Sequence, residues 1–202
     1  MKANTEKKID FSKTRKDLYS ATQKIKEVNT GRGIFLSVIE KGAPGGPAFQ
    51  SAIEKLYTVA YTLKFGVAKP KDLDFKVCCL ECLYEDPGTT PKDEWEWQLL
   101  IRIPDQLSED DLRQARESIL KRKELDTSAV KRIEFEEGCC LQTLHIGPYD
   151  QVGVTYNVLL KQAEGQGLAP SGRAHEIYIS DPRRVPPEKL KTIVRLPVRE
   201  KK

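Results

Sequence analysis

The chain carries the marks of an internal duplication, and no other feature limits its fold as much. "LECLYEDP" (80–87) and "HEIYISDP" (175–182) set Glu81, Asp86 and Pro87 against Glu176, Asp181 and Pro182 at a constant offset of 95 residues. "GIFLSVIEKG" (33–42) and "GCCLQTLHIG" (138–147) share Gly, Leu and Gly in register at an offset of 105. "IRIP" (101–104) and "VRLP" (194–197) repeat at an offset of 93. Three matches in one order indicate a repeated unit of about 70–80 residues.

Periodicity gives each unit the same contents. After "GAPGGP", residues Phe49, Ile53, Leu56, Ala60 and Leu63 recur at helical spacing, with Pro47 suited to a first turn and Tyr57 and Tyr61 on the flank. In the second unit Tyr149, Val152, Tyr156, Leu159 and Ala163 predict a matching helix, closed by the glycines of "EGQGLAP". A strand precedes each helix (33–39 and 139–145) and two follow it (75–84 and 95–103; 174–180 and 191–198). Each half is therefore strand-helix-strand-strand. Between them "SEDDLRQARESILKRK" predicts a linking helix over 108–123, capped by Ser108 with Asp111 closing a capping box. The expected organisation is a charged arm (1–30) followed by one α+β domain (31–202), with halves 31–105 and 132–200.

Composition excludes several classes. With 39% apolar and 32% charged residues, 202 residues suffice for a sizeable core. No run of 18 apolar residues and no signal-like start is present, which predicts a cytoplasmic protein that neither spans a membrane nor is secreted. The net charge of +4 is mild, and basic residues gather at the two ends, which read as solvated termini. No basic stripe interleaved with aromatics suggests nucleic-acid binding. The five cysteines, Cys78, Cys79, Cys82, Cys139 and Cys140, read as reduced, small core residues. Cys79 and Cys82 form a CxxC, but residues three apart on a strand point to opposite faces, so no metal site is expected. No phosphate loop, dinucleotide fingerprint or nucleophile elbow is present, so no cofactor is expected.

Two such units can pair edge to edge about a pseudo-twofold axis with both helices on one face of the joint sheet. The other face then becomes a groove, with Glu81 and Glu176 near its centre. That explains an acid within the strand "HEIYISDP", where Glu176, Tyr178 and Ser180 share one face. An exposed, water-solvated Glu176 is the alternative.

"HIGPYDQV", "HEIYISDP" and "PPEKLKTIVRLPV", in this order and spacing, resemble the GyrI-like small-molecule-binding superfamily, a tandem of strand-helix-strand-strand (SHS2-type) units. The resemblance covers about residues 30–198. "FQSAIEKLYTVAYTLKF" and "EWEWQLLIRIP" are similar to its stand-alone branch, some members of which are hydrolases that open the cyclopropane of DNA-alkylating cyclopropanoids. The resemblance implies that Glu176 is the binding-site glutamate and Tyr149 the helix-start tyrosine over the groove. It further implies that Trp95 and Trp97 are aromatic walls, although two Trp in line with Leu99 and Ile101 also suit a core. Where the hydrolase-like branch prefers Gly and Trp after the first-half glutamate, this chain has Cys82 and Tyr84.

The expected ligand-contact set is Glu176, Tyr149, Trp95, Trp97, Glu81, Tyr61, Tyr57, Tyr178 and His145, with Glu176 and Tyr149 as base and hydrogen-bond donor in any catalysis. A carboxylate among aromatic faces attracts flat cations, and a desolvated one can act as a general base. Expected partners are hydrophobic aromatic or cationic small molecules, with neither nucleic acid nor membrane, and a monomer or weak homodimer. An interaction protein acting on a partner such as DNA gyrase is the alternative.

Overall fold

In a computed structural model, which describes residues 8–85 and 91–201, nine antiparallel strands make one open sheet. Asp86 and Pro87 of the first repeat lie outside the described residues. The strands are β1 (Lys26–Asn29), β2 (Gly33–Lys41), β3 (Glu81–Tyr84), β4 (Glu96–Ile103), β5 (Lys131–Phe135), β6 (Cys139–Ile146), β7 (Leu168–Pro170), β8 (Ala174–Tyr178) and β9 (Lys191–Glu200). Their spatial order is β1-β6-β9-β8-β3-β4-β2-β5, with β7 beside β9. The predicted repeat is visible in it, with β3-β4-β2 from the first half abutting β8-β9-β6 from the second through the β3–β8 pair. The fold is α+β.

The principal helices are α3 (Pro47–Thr62) and α5 (Val152–Gly165), joined in sequence through α4 (Glu109–Lys123); two single turns, α1 (Phe11–Thr14) and α2 (Lys16–Tyr19), precede β1. Pro47 occupies the first turn of α3, where its missing N–H costs nothing. The apolar stripe Phe49, Ala52, Leu56, Val59 and Ala60 buries against Leu36, Val38, Trp97, Leu99 and Ile101 of β2 and β4. Leu56 alone, fully buried, contributes about 1.5–3 kcal/mol. In the second half Val152, Leu159 and Ala163 of α5 cover Leu141, Val194 and Leu196. The capping box of α4 forms as expected: the Ser108 hydroxyl accepts from the Asp111 N–H, and the Asp111 carboxylate accepts from the Ser108 N–H.

Cross-strand partners point to one face, so the register locates the helices. Leu99 pairs with Cys82, Cys82 with Glu176, and Glu176 with Val194. Leu99 lies under α3 and Val194 under α5, so Glu176 faces the helix side of the sheet. The groove is therefore not on the helix-free face, as the sequence suggested. It opens between α3 and α5, because each helix covers its own half and leaves the central strands β3 and β8 uncovered.

The same register corrects the symmetry argument. A twofold axis normal to the sheet keeps equivalent residues on one face, so the offset across the joint must be even. An offset of 94 makes Cys82 the equivalent of Glu176 and Tyr84 that of Tyr178, all on one face, whereas the offset of 95 read from the motifs takes Glu81, which lies on the opposite face beside Ile177. A one-residue slip reverses every side chain of a strand.

Residues 8–30 are not a solvated arm. β1 pairs with β6, Ile9 bridges to Phe75, and Leu18, Tyr19 and Thr30 are buried. Nor is the basic C-terminus wholly solvated, since Arg195 is buried in β9. Strands β1, β5 and β7 were not apparent from periodicity. They are short, and β5 pairs with the edge of β2 despite three charges in five residues.

Candidate ligand-binding and active site

The groove between the two helices is open, with a volume of about 2430 Å³. Its floor is the β3–β8 joint. Strand alternation turns Glu176 and Tyr178 into it from β8, and Tyr84 from β3. The Tyr84 and Tyr178 hydroxyls lie 2.9 Å apart, so they share one hydrogen bond across the joint. Trp95, just before β4, meets the Tyr84 ring edge-on at 5.9 Å. The Trp95 carbonyl accepts from the Gly42 N–H, which fixes its backbone. Tyr149 begins the turn leading into α5, and its ring packs edge-on against Tyr178 at 5.2 Å.

One wall is a ladder on α3. Tyr57 and Tyr61 stack at 6.2 Å, and Tyr61 and Phe65 stack at 6.2 Å with ring planes 7° apart. The i, i+4 spacing puts the three rings over one another. Tyr61 and Phe65 remain 49% and 56% exposed, which leaves their faces open. Phe65 belongs to a π-helical turn, Leu63–Ala68, that continues α3; such turns are frequent at functional sites.

Glu176 is half-buried between these rings. Burial pushes its carboxyl up to about 7; a hydrogen bond with Tyr178 and the charge of His175 work in the opposite direction. The carboxyl is thus divided between acid and carboxylate near neutrality. Burial likewise raises the Tyr178 and Tyr84 hydroxyls, and raises Tyr149 with help from the Glu176 charge. These tyrosines remain protonated donors. Cys82, directly beside Glu176 in the register, is held as a thiol by burial.

Of the residues expected at the site, Glu176, Tyr149, Trp95, Tyr61, Tyr57 and Tyr178 line this groove. Three do not. Trp97 is fully buried, its indole N–H donating to the Gly42 carbonyl at 2.9 Å and its ring against Phe49 at 4.9 Å. It lies beneath α3, so the core alternative holds for it. His145 is buried under the start of α5, with Nδ1 2.8 Å from Thr155 Oγ1 and Nε2 3.2 Å from the Pro148 carbonyl, and ties down the "GPYD" turn. Glu81 faces the rear of the sheet. There its Oε1 accepts from the Tyr19 hydroxyl at 2.8 Å, and its Oε2 stands 3.1 Å from His175 Nε2.

Sequence reasoning missed Tyr84, Phe49, Phe65 and Tyr156, which also line the groove. Phe65 continues the Tyr57–Tyr61 spacing by one further turn, and Tyr84 aligns with Tyr178 at the even offset; both signals were in the sequence. All five cysteines are free.

A two-unit α+β sheet with an aromatic groove and a half-buried carboxylate at the joint is the architecture of a small-molecule-binding domain. Residues 108–199 match the GyrI-like small molecule binding domain. A solved structure of an uncharacterized conserved protein from Listeria innocua is 38% identical, with a TM-score of 0.89 over 95% of this chain and 100% of that one. A second Listeria innocua structure, described as a hydrolase, is 38% identical with a TM-score of 0.88 over 96% of this chain and 100% of its own. The C-terminal domain of EcmrR shares the fold at 13% identity, with a TM-score of 0.59 over 88% of this chain and 98% of that domain. None of the curated proteins matches the chain. The chain belongs to the GyrI-like small-molecule-binding family. Among the described residues no helix is long and apolar enough to cross a membrane.

Proposed function

We propose that the protein binds flat, aromatic, often cationic small molecules in this groove, and that Glu176 allows it to hydrolyse strained, conjugated electrophiles such as activated cyclopropanes. One observation carries this: the Glu176 carboxyl, poised to ionise near neutral pH, lies on the floor of a groove walled by Tyr57, Tyr61, Phe65, Tyr84, Trp95, Tyr149 and Tyr178. Several aromatic walls give affinity without demanding one shape. Each aromatic face attracts a cation by about 0.5–2 kcal/mol, and an ionised carboxylate beneath them adds its own charge attraction.

The hydrolysis follows from the same parts. Glu176 accepts a proton from a water whose oxygen attacks the substituted cyclopropane carbon. The strained C–C bond breaks, and its electron pair passes through the conjugated system to the carbonyl oxygen, where a tyrosine hydroxyl, that of Tyr149 or Tyr178, donates a hydrogen bond. The proton held by Glu176 returns to that oxygen, so the product is substrate plus one water. A positioned base contributes about 10²–10⁴-fold, sufficient where ring strain already lowers the barrier. The Listeria innocua relative described as a hydrolase favours this reading.

Titration with a rhodamine-type cationic dye and a neutral dye of the same shape tests the binding. Glu176→Gln is expected to weaken the cation at least about tenfold and the neutral dye much less; equal losses would overturn the proposal. With an activated cyclopropane, wild type is expected to release the ring-opened, singly hydrated product and Glu176→Gln to release none. Turnover at the wild-type rate in the variant would remove Glu176 as the base.

A further inference from the structure

Behind the groove lies a second polar assembly that the proposed chemistry does not use. On the opposite face of β8 from Glu176, His175 is sandwiched between two carboxylates. Its Nδ1 lies 3.0 Å from both oxygens of Glu137, and its Nε2 lies 3.1 Å from Glu81. Arg195 of β9 donates to Glu137 at 2.9 Å, to the Leu18 carbonyl at 3.0 Å and to Gln142 Oε1 at 3.1 Å. Tyr19 donates to Glu81. Side chains of Glu81, Glu137, His175 and Arg195 are all at least 96% buried.

The contacts of its two nitrogens decide the state of the imidazole. A carboxylate oxygen stands within 3.1 Å of each ring nitrogen, and a neutral imidazole would turn a lone pair toward one of them in a dry interior. A protonated His175 meets a carboxylate on each side: its Nδ1 is hydrogen-bonded to Glu137, and its Nε2 stands 3.1 Å from Glu81, close enough for charge attraction but outside hydrogen-bond geometry. We propose that His175 is the permanent rear cation of the Glu176 site, a positioning residue that keeps the groove carboxylate available in its ionised form. His175 and Glu176 are neighbours on one strand with side chains on opposite faces, and the imidazolium favours the Glu176 carboxylate from behind the sheet.

His175 faces Glu81 from β3, Glu137 from the loop between β5 and β6, Arg195 from β9, Tyr19 from α2, and Arg102 of β4 across a small shared cavity. Glu176 faces Tyr178 on its own strand, Cys82 and Tyr84 from β3, and Tyr149 from the approach to α5. Lys76, Lys92, Arg173 and Arg183 also line the groove, but it is the charge of His175 that favours the Glu176 carboxylate. The directions agree: Burial alone would depress the histidine, but Glu137 and Glu81 outweigh it and raise its proton affinity. Burial would likewise push Glu137 up, yet His175 and Arg195 hold it at about 2.

The proposal rests on Glu176 being the ligand carboxylate, and its test separates the two ideas. In ¹⁵N-labelled wild type the chain has only two histidines to assign. His175 is expected to show imidazolium nitrogen shifts at pH 7; a neutral imidazole there would overturn the proposal without any variant. In His175→Gln the ¹³C carboxyl titration of Glu176, assigned with Glu176→Gln, is expected to move upward by about one pH unit. Cationic dye affinity at pH 7 should then fall about fivefold and recover at higher pH. An unmoved carboxyl midpoint would also overturn it. If Glu176→Gln itself binds the dye as wild type does, the ligand-site assignment fails, while the carboxyl titration still decides the coupling.

Discussion

At the scale of single residues, Glu176 costs the fold stability in order to be useful. Its folded-state value of about 7 lies above the 4.5 of an unperturbed glutamate, so the unfolded chain gives up this proton first as pH rises. Its stabilising contribution is complete below about 4.5 and is lost as pH climbs through about 7, beyond which the ionised group is a standing penalty. Glu176→Gln should therefore raise thermal stability at pH 8 by about 1–3 kcal/mol, after allowance for its partial solvent contact, and by little at pH 4.5. Melting curves at the two pH values check this, and an equal gain at both would show that the carboxylate is not strained by burial. Such a stability cost is common at functional positions. Glu176 was legible in the sequence because an acid interrupts an otherwise apolar alternation. Trp97 was misassigned because alternation gives a shared face, not what covers it, and Trp97 lies under α3. Glu81 was misassigned because short motifs carry no parity, and the true counterpart of Glu176 is the unremarkable Cys82.

At the scale of elements, α3 serves two purposes on two faces. Its buried stripe fixes β2 and β4, while Tyr57, Tyr61 and Phe65 form the groove wall. The exposure of the outer two rings makes their roles separable. Tyr61→Ala and Phe65→Ala are expected to change stability by less than about 0.5 kcal/mol. Each should weaken a flat aromatic dye by about 3–10-fold, the worth of one stacking contact of about 0.5–1.5 kcal/mol. Fluorescence titration beside a denaturant melt measures both, and unchanged affinity in both variants would place the ligand elsewhere in the groove. The two long helices and the α4 capping box were readable because their signals are local: a 3.6-residue stripe, Pro47, and Ser108 with Asp111. The π-helical turn that carries Phe65 was not, since no sequence pattern marks the change from α-helical to π-helical hydrogen bonding. β1 and β5 escaped notice because edge pairing is set by tertiary partners.

At the scale of the whole molecule, the repeat suggests two halves that are in fact interlocked. β1, from the N-terminal part, adds to the edge of β6 in the second half, and β5, beyond the linking helix, adds to β2 in the first. The joint itself pairs β3 with β8. Glu81 of the first half is compensated by His175 of the second, and Arg195 holds the Leu18 carbonyl near the chain start. A fragment of residues 1–107 would leave β1 without a partner, two open strand edges on β2 and β3, and Glu81 without its His175 partner. Open edges invite association, and breaking a buried charge pair by removing one partner costs about 3–5 kcal/mol, a large part of the 5–15 kcal/mol that stabilises a typical domain. Residues 1–107 alone are therefore expected to show no cooperative thermal transition and to aggregate. Co-expression with residues 108–202 is expected to restore a soluble complex that melts cooperatively and binds dye. Circular dichroism and proton–nitrogen correlation spectra distinguish the outcomes, and a well-dispersed, cooperatively melting 1–107 fragment would show the halves to be independent domains.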